Sequence, residues 1–177
     1  MADATETATP EPVSETDARQ VYAIIDALKS ADDADVPQHI GLRKIGCTKT
    51  PAGVGSPPLC QGREKEGDLI DAFYYATCEG QYLRAPQLGP MLDALKQVEF
   101  YRAYRVPRKA GSEWDYAIIL VDRGAERNGM GWEAIADKGE MIGLLFSCAL
   151  TPDELIAARH YTVEVPTPGP AVTTPLP

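Results

Sequence analysis

Acid–base chemistry in this chain would rest on few residues, and Asp71 is the first of them. It falls in an aromatic and apolar run, Leu69 to Cys78, where alternation puts it on one face with Phe73 and Tyr75. A carboxylate buried on such a face can be pushed toward the pKa of a general base, and a tyrosine can donate a hydrogen bond where charge develops. Tyr104, on a strand face with Phe100 and Arg102, is the tyrosine placed for that part. The pair would suit a cofactor-independent isomerase or cyclase. The same residues also have an ordinary reading, in which an aspartate near a sheet edge is solvated and a strand tyrosine packs its ring in the core with its hydroxyl at the rim. Arg102, Tyr104, Tyr116 and Trp132, which put polar atoms on otherwise apolar faces, are the set expected to line a ligand pocket.

The cysteines Cys47, Cys60, Cys78 and Cys148 allow three complete pairings. None has the two-residue spacing of a structural zinc site, so no metal ligands are expected and no cofactor is implied. Cys47 and Cys60 flank a loop with little apolar matter, and a bridge there would remove unfolded-chain entropy worth about 3 kcal/mol in an oxidising compartment. Cys148 shares a strand face with Ile142, Leu144 and Phe146, which predicts a reduced, buried thiol; pairing with Cys78 across neighbouring strands is the alternative. His39 and His160 fall at the ends of predicted helices, where a cation favours the dipole, and neither lies beside a cysteine. Nucleophile elbows, phosphate loops and zinc-binding helices are absent from the sequence. Gly124, Gly129 and Gly131 sit between two strand-like runs, the place of a hairpin connection rather than of a phosphate loop.

Positioning these residues falls first to a helix. Val21, Ile24, Ile25 and Leu28 repeat at helical spacing up to about Ser30, with Ser14 or Thr16 as the cap and Asp17 near the positive end. Val36, Ile40 and Leu42 suggest a second, shorter helix ended at Gly41, and Lys49 to Gly62 is a long loop broken by prolines and glycines. After the Leu69 to Cys78 strand, Leu88, Met91, Leu92 and Leu95 mark another helix. Strand-like runs then follow at Val98 to Val106, Trp114 to Asp122, Gly131 to Ala136 and Met141 to Ala149, joined by turn residues that predict an antiparallel meander. Thr151, Pro152, Asp153 and Glu154 open a last helix. The fold class expected is α+β, a curved antiparallel sheet with helices gathered on one face. Ala117 to Val121 is apolar throughout, so both faces of that strand need cover, and a second subunit in a homodimer is the expected cover for the face without helices.

The 177 residues suit one domain, 16–165, between an acidic tail, 1–15, and a proline- and threonine-rich tail, 166–177, both expected to be disordered. Part of the net charge of −9 therefore belongs to Asp3, Glu6, Glu11 and Glu15 rather than to any site. An acidic chain of pI ≈ 4.7 is a poor phosphate-tracking surface, which argues against a nucleic-acid partner. No apolar run approaches the roughly 18 to 20 residues of a membrane span. No export signal follows Met1, so the cytoplasm is the default compartment, and an extracytoplasmic one applies if the start is trimmed.

Helices first, then a long meander ending in strongly apolar strands: this order, over about Asp17 to Ala149, resembles the cone-shaped cystatin-like superfamily of nuclear transport factor two, ketosteroid isomerases and small polyketide cyclases. The stretch from Arg63 through Cys78, Glu79 and Gly80 looks more like bacterial proteins outside the enzyme branches. The resemblance implies a pocket between sheet and helices and a dimer through the outer sheet face, and it implies no reaction. The expected function is a non-catalytic module for a small apolar or amphipathic ligand or a partner protein; the alternative is the isomerase or cyclase with Asp71 as base.

Overall fold

The computed structural model describes residues 12–30, 35–50, 53, 55–76, 78–106 and 115–168. The expectations for 1–11 and 169–177, the greater part of both tails, lie outside the described residues. Helix α1, Glu15–Lys29, begins where Ser14 accepts the Asp17 amide at 3.1 Å, and it buries Ala18, Val21, Ile24 and Ile25 along one stripe. The second helix expected from Val36, Ile40 and Leu42 is instead a single 3-10 turn, Val36–His39. Pro37 in its first turn starts it, but Ile40 is already extended and pairs with Met141. Gly41 is needed here for closeness rather than to end a helix. A Cβ on it would stand 2.6 Å from a Glu140 carboxylate oxygen.

The sheet is mixed and mostly antiparallel. Its strands are β1 (Arg43–Gly46), β2 (Leu69–Ala76), β3 (Gly80–Leu83), β4 (Val98–Arg105), β5 (Tyr116–Asp122), β6 (Gly131–Asp137), β7 (Glu140–Phe146) and β8 (Val163–Glu164), with helix α2 (Gly89–Leu95) before β4 and α3 (Pro152–Arg159) after β7. The order across the sheet is β1-β2-β7-β6-β5-β4-β8, with β3 also on β2. The expected meander is β4 to β7. Lys138 and Gly139, both at positive φ, make the tight turn that pairs Asp137 with Glu140. The parallel contact of β2 with β7, Tyr74 opposite Gly143, was not expected from the sequence.

Every residue of β5 and β6 is buried. On one face Tyr116, Ile118, Leu120, Trp132 and Ala134 join Phe73, Met141 and Leu144 under α1 and under Met91 and Leu95 of α2. On the other face Ala117, Ile119 and Tyr104 pack against Leu155 and Ile156 of α3 and against Tyr161. Two expectations are corrected by this arrangement. Helices lie on both faces rather than one, and the face assigned to a second subunit is closed by α3 of the same chain. The reason is local: Thr151 and Glu154 cap each other's backbone at the start of α3, and the Gly131 amide donates to the Leu150 carbonyl at 2.7 Å, which ties the helix to the end of β6.

All four cysteines are bridged, Cys47 to Cys60 as expected and Cys78 to Cys148. Cys148 is therefore neither reduced nor buried. It lies exposed beyond the end of β7 at φ 61°, off the strand face that made it look like a core residue.

Candidate functional site

Asp71 stands on β2 with its side chain half exposed, and its carboxylate accepts from Lys44 Nζ on β1 at 2.8 Å. The carboxylate is therefore open to water and ion-paired, not enclosed on an apolar face. Tyr104 lies four strands away in the sheet order and on the other face, buried and stacked on Tyr161 with ring centroids 5.7 Å apart. The two do not meet.

The expected pocket lining is divided as well. Arg102 is exposed, its guanidinium 3.5 Å from Glu164 and over the Tyr101 ring. Trp132 is fully buried, stacked on Tyr75 and tilted against Phe146, with its indole N–H donating to Asp122 at 2.8 Å. Tyr116 is in the core beneath α1, where burial, and after it a hydrogen bond with Asp17, pushes its hydroxyl up to about 12. Trp132 and Tyr116 are thus core side chains, while Arg102 stands at the surface. Among the described residues no group of three or more histidine, cysteine, aspartate or glutamate side chains could hold a metal ion.

Among the described residues the buried carboxylates, invisible as a set in the sequence, are Asp122, Glu133 and Asp137. Each is engaged. Asp122 accepts from Trp132 and from the Gly124 amide, Asp137 from Arg43 at 2.6 Å, and Glu133 from Arg159 at 3.0 Å and from the Tyr161 hydroxyl. Burial, then the nearby Glu133 charge, drives the Tyr161 hydroxyl pKa well up, so it stays a donor. A carboxylate held this way serves as a structural anchor.

A groove opens elsewhere among the described residues. It has a volume of about 930 Å³ and lies on the side of α1 and α2, between the end of α1, helix α2 and the first residues of β4. Leu28, Val36, Leu92, Leu95, Val98 and Phe100 give it apolar walls. Helical spacing explains why: α2 turns Met91 and Leu95 into the core, so Leu92, one residue on from Met91, is only half buried and faces the gap. Most of the charge at the rim is matched. Lys96 pairs with Asp93 at 3.1 Å and Glu99 with Arg123 at 2.8 Å. Lys29 differs, its ammonium lying 4.9 Å from the centre of the Phe100 ring. The sequence signal was the fourfold apolar repeat Leu88, Met91, Leu92 and Leu95 on a helix of only two turns, more than the core consumes. Comparison of the chain with protein families, curated proteins and solved structures finds no match.

Proposed function

We propose that this chain is a non-catalytic binding module whose ligand is an amphipathic small molecule held in the α1–α2–β4 groove. The observation that carries the reading is the groove itself, apolar along its walls and with one cation, Lys29, set over an aromatic ring at its side. Its size falls within the roughly 300–1,000 Å³ usual for small-molecule sites. An alkyl portion would lie against Leu28, Leu92, Val98 and Phe100, and an anionic end would meet Lys29. The resemblance to cone-shaped folds, which suggests a pocket on the helix-bearing side, agrees with the placement.

Among the described residues no arrangement supports the isomerase or cyclase alternative, because Asp71 is exposed and ion-paired and the buried carboxylates are hydrogen-bonded. One copy of the chain suffices for the binding reading, and the homodimer has lost the bare apolar face that motivated it. Two disulfides support a home in an oxidising compartment.

Calorimetric titration with a twelve-carbon carboxylate tests the function. Saturable one-to-one binding is expected, weakened about fivefold or more by Lys29→Ala and lost in Leu92→Asp. Equal binding by the protein and both variants would contradict it.

A further inference from the structure

The two disulfides stand in unlike places. Cys47 is buried, and its bridge to Cys60 closes a single loop. Cys78 and Cys148 are both exposed, and their bridge joins residues 70 apart in sequence. Strands β2 and β7 run parallel there, Ala76 opposite Leu145, so both cysteines lie just beyond the strand ends and the bridge prolongs the pairing. Cys148 also belongs to the turn that leads into α3. In that turn the Ala149 amide donates to the Ser147 carbonyl at 2.8 Å, and the Leu150 carbonyl accepts from Ser147 Oγ at 2.6 Å and from the Gly131 amide at 2.7 Å. Cys148 holds φ at 61°, the left-handed region in which the Cβ of an L residue crowds the following carbonyl. The helix beyond is lightly anchored. It has eight residues, it sets Leu155 and Ile156 in the apolar cluster on β5, and a cavity of about 270 Å³, lined by Glu133, Phe146, Leu150 and Leu155, opens between it and strands β6 and β7. A helix this short persists only through its tertiary contacts.

We propose that the Cys78–Cys148 disulfide is a reversible thiol-exchange site for small dithiols, and that opening it unlatches α3 from β5. The site is independent of the α1–α2–β4 groove, which lies on the other face of the sheet. Exposed or strained bridges are the ones that thiols open, whereas buried ones resist. A thiolate of the dithiol attacks one bridge sulfur, the S–S bond breaks as a mixed disulfide forms, and the other cysteine leaves as a thiolate that takes up a proton. The second thiol of the reagent then displaces the remaining cysteine and closes its own ring disulfide. The protein gains two electrons and two protons, and the dithiol is oxidised by the same amount. Without its tie to Cys78, Cys148 returns to a negative φ, a relaxation that favours the new turn about tenfold. The chain at Ala149 and Leu150 then changes direction, and the Leu150 carbonyl leaves the Gly131 amide that fastens α3 to the end of β6. Ala117, Ile119 and Tyr104 are uncovered, together with Glu133 beside the cavity.

Two measurements on the full chain test the proposal. In the first, the protein is titrated with dithiothreitol at neutral pH, alkylated with N-ethylmaleimide and mapped by mass. Cys78 and Cys148 should carry label at about one tenth of the reductant that Cys47 and Cys60 require. In that half-reduced protein the amides of residues 155–159 should exchange about tenfold faster than in the oxidised one, with exchange in α1 unchanged. Both bridges opening together, or α3 keeping its old exchange rate once Cys78 and Cys148 are labelled, would overturn the proposal. A matching rise in α1 would do the same, since it marks global unfolding. The second measurement uses no reductant. Cys78→Ser with Cys148→Ser should reproduce the fast exchange in α3, and Cys78→Ser with Cys148→Gly should return most of the protection, because glycine holds a positive φ without steric cost. Equal rates in the two double variants would show that the bridge does not hold the turn, and the latch would fall.

Discussion

A buried carboxylate survives only if its charge is met, and Glu133 is met twice, by Arg159 and by Tyr161. Arg159→Leu should lower the unfolding free energy by about 2 kcal/mol, less than for a fully buried pair because the arginine is half exposed and Tyr161 stays as a donor. Urea unfolding measures it. Asp71→Asn, which breaks an exposed pair, should change the same midpoint by less than about 0.5 kcal/mol. Glu64 offers a pH test. Its hydrogen bonds from Arg84 and from the Gln61 amide hold the carboxyl down at about 2, below its ordinary 4.5. A depressed carboxyl stabilises the fold above its unfolded value, and that contribution disappears as pH falls from 4.5 toward 2. Melting temperatures should therefore drop more steeply for the natural protein than for Glu64→Gln across that interval; parallel curves would contradict the assignment.

At the scale of elements, α3 lies on the face of β5 for which the sequence predicted a second subunit. Leu155 covers Ala117 and Ile119, and Leu155→Ala should cost about 2–4 kcal/mol by opening a cavity over β5. An unchanged midpoint would mean that this face is covered otherwise. The sequence revealed α1, α2, α3, β2 and the β4 to β7 meander because each has a repeat or a cap readable within one segment. It concealed β1, β3 and β8, of four, four and two residues, which are too short to show a period and exist only because neighbouring strands hydrogen-bond them. The role of α3 was concealed for a related reason, since Leu155 and Ile156 are the two of its eight residues that join the apolar cluster on β5, too few to show a period. The Cys47–Cys60 loop was legible from its lack of apolar ballast, whereas the position of Cys148 was not, because the alternation extended past Phe146, where β7 ends.

For the whole molecule, the site was less legible than the fold. Tyr104, Tyr116 and Trp132 looked like pocket residues because aromatic side chains with polar tips serve both pockets and cores, and only their burial, with the ring contacts of Tyr104 to Tyr161 and of Trp132 to Tyr75 and Phe146, separates the two roles. The groove instead arises between α1, α2 and β4, which come together only on folding. With both faces of β5 covered, light scattering should give the mass of one chain, 19.2 kDa, across a dilution series. The most direct test of the central claim is the map of amide shifts in ¹⁵N-labelled protein titrated with the twelve-carbon carboxylate. Saturable shifts concentrated at Leu28–Ser30, Leu92–Lys96 and Val98–Phe100, and much reduced in Lys29→Ala, are the predicted result. Shifts that fail to saturate, or that cluster away from the groove, would contradict it.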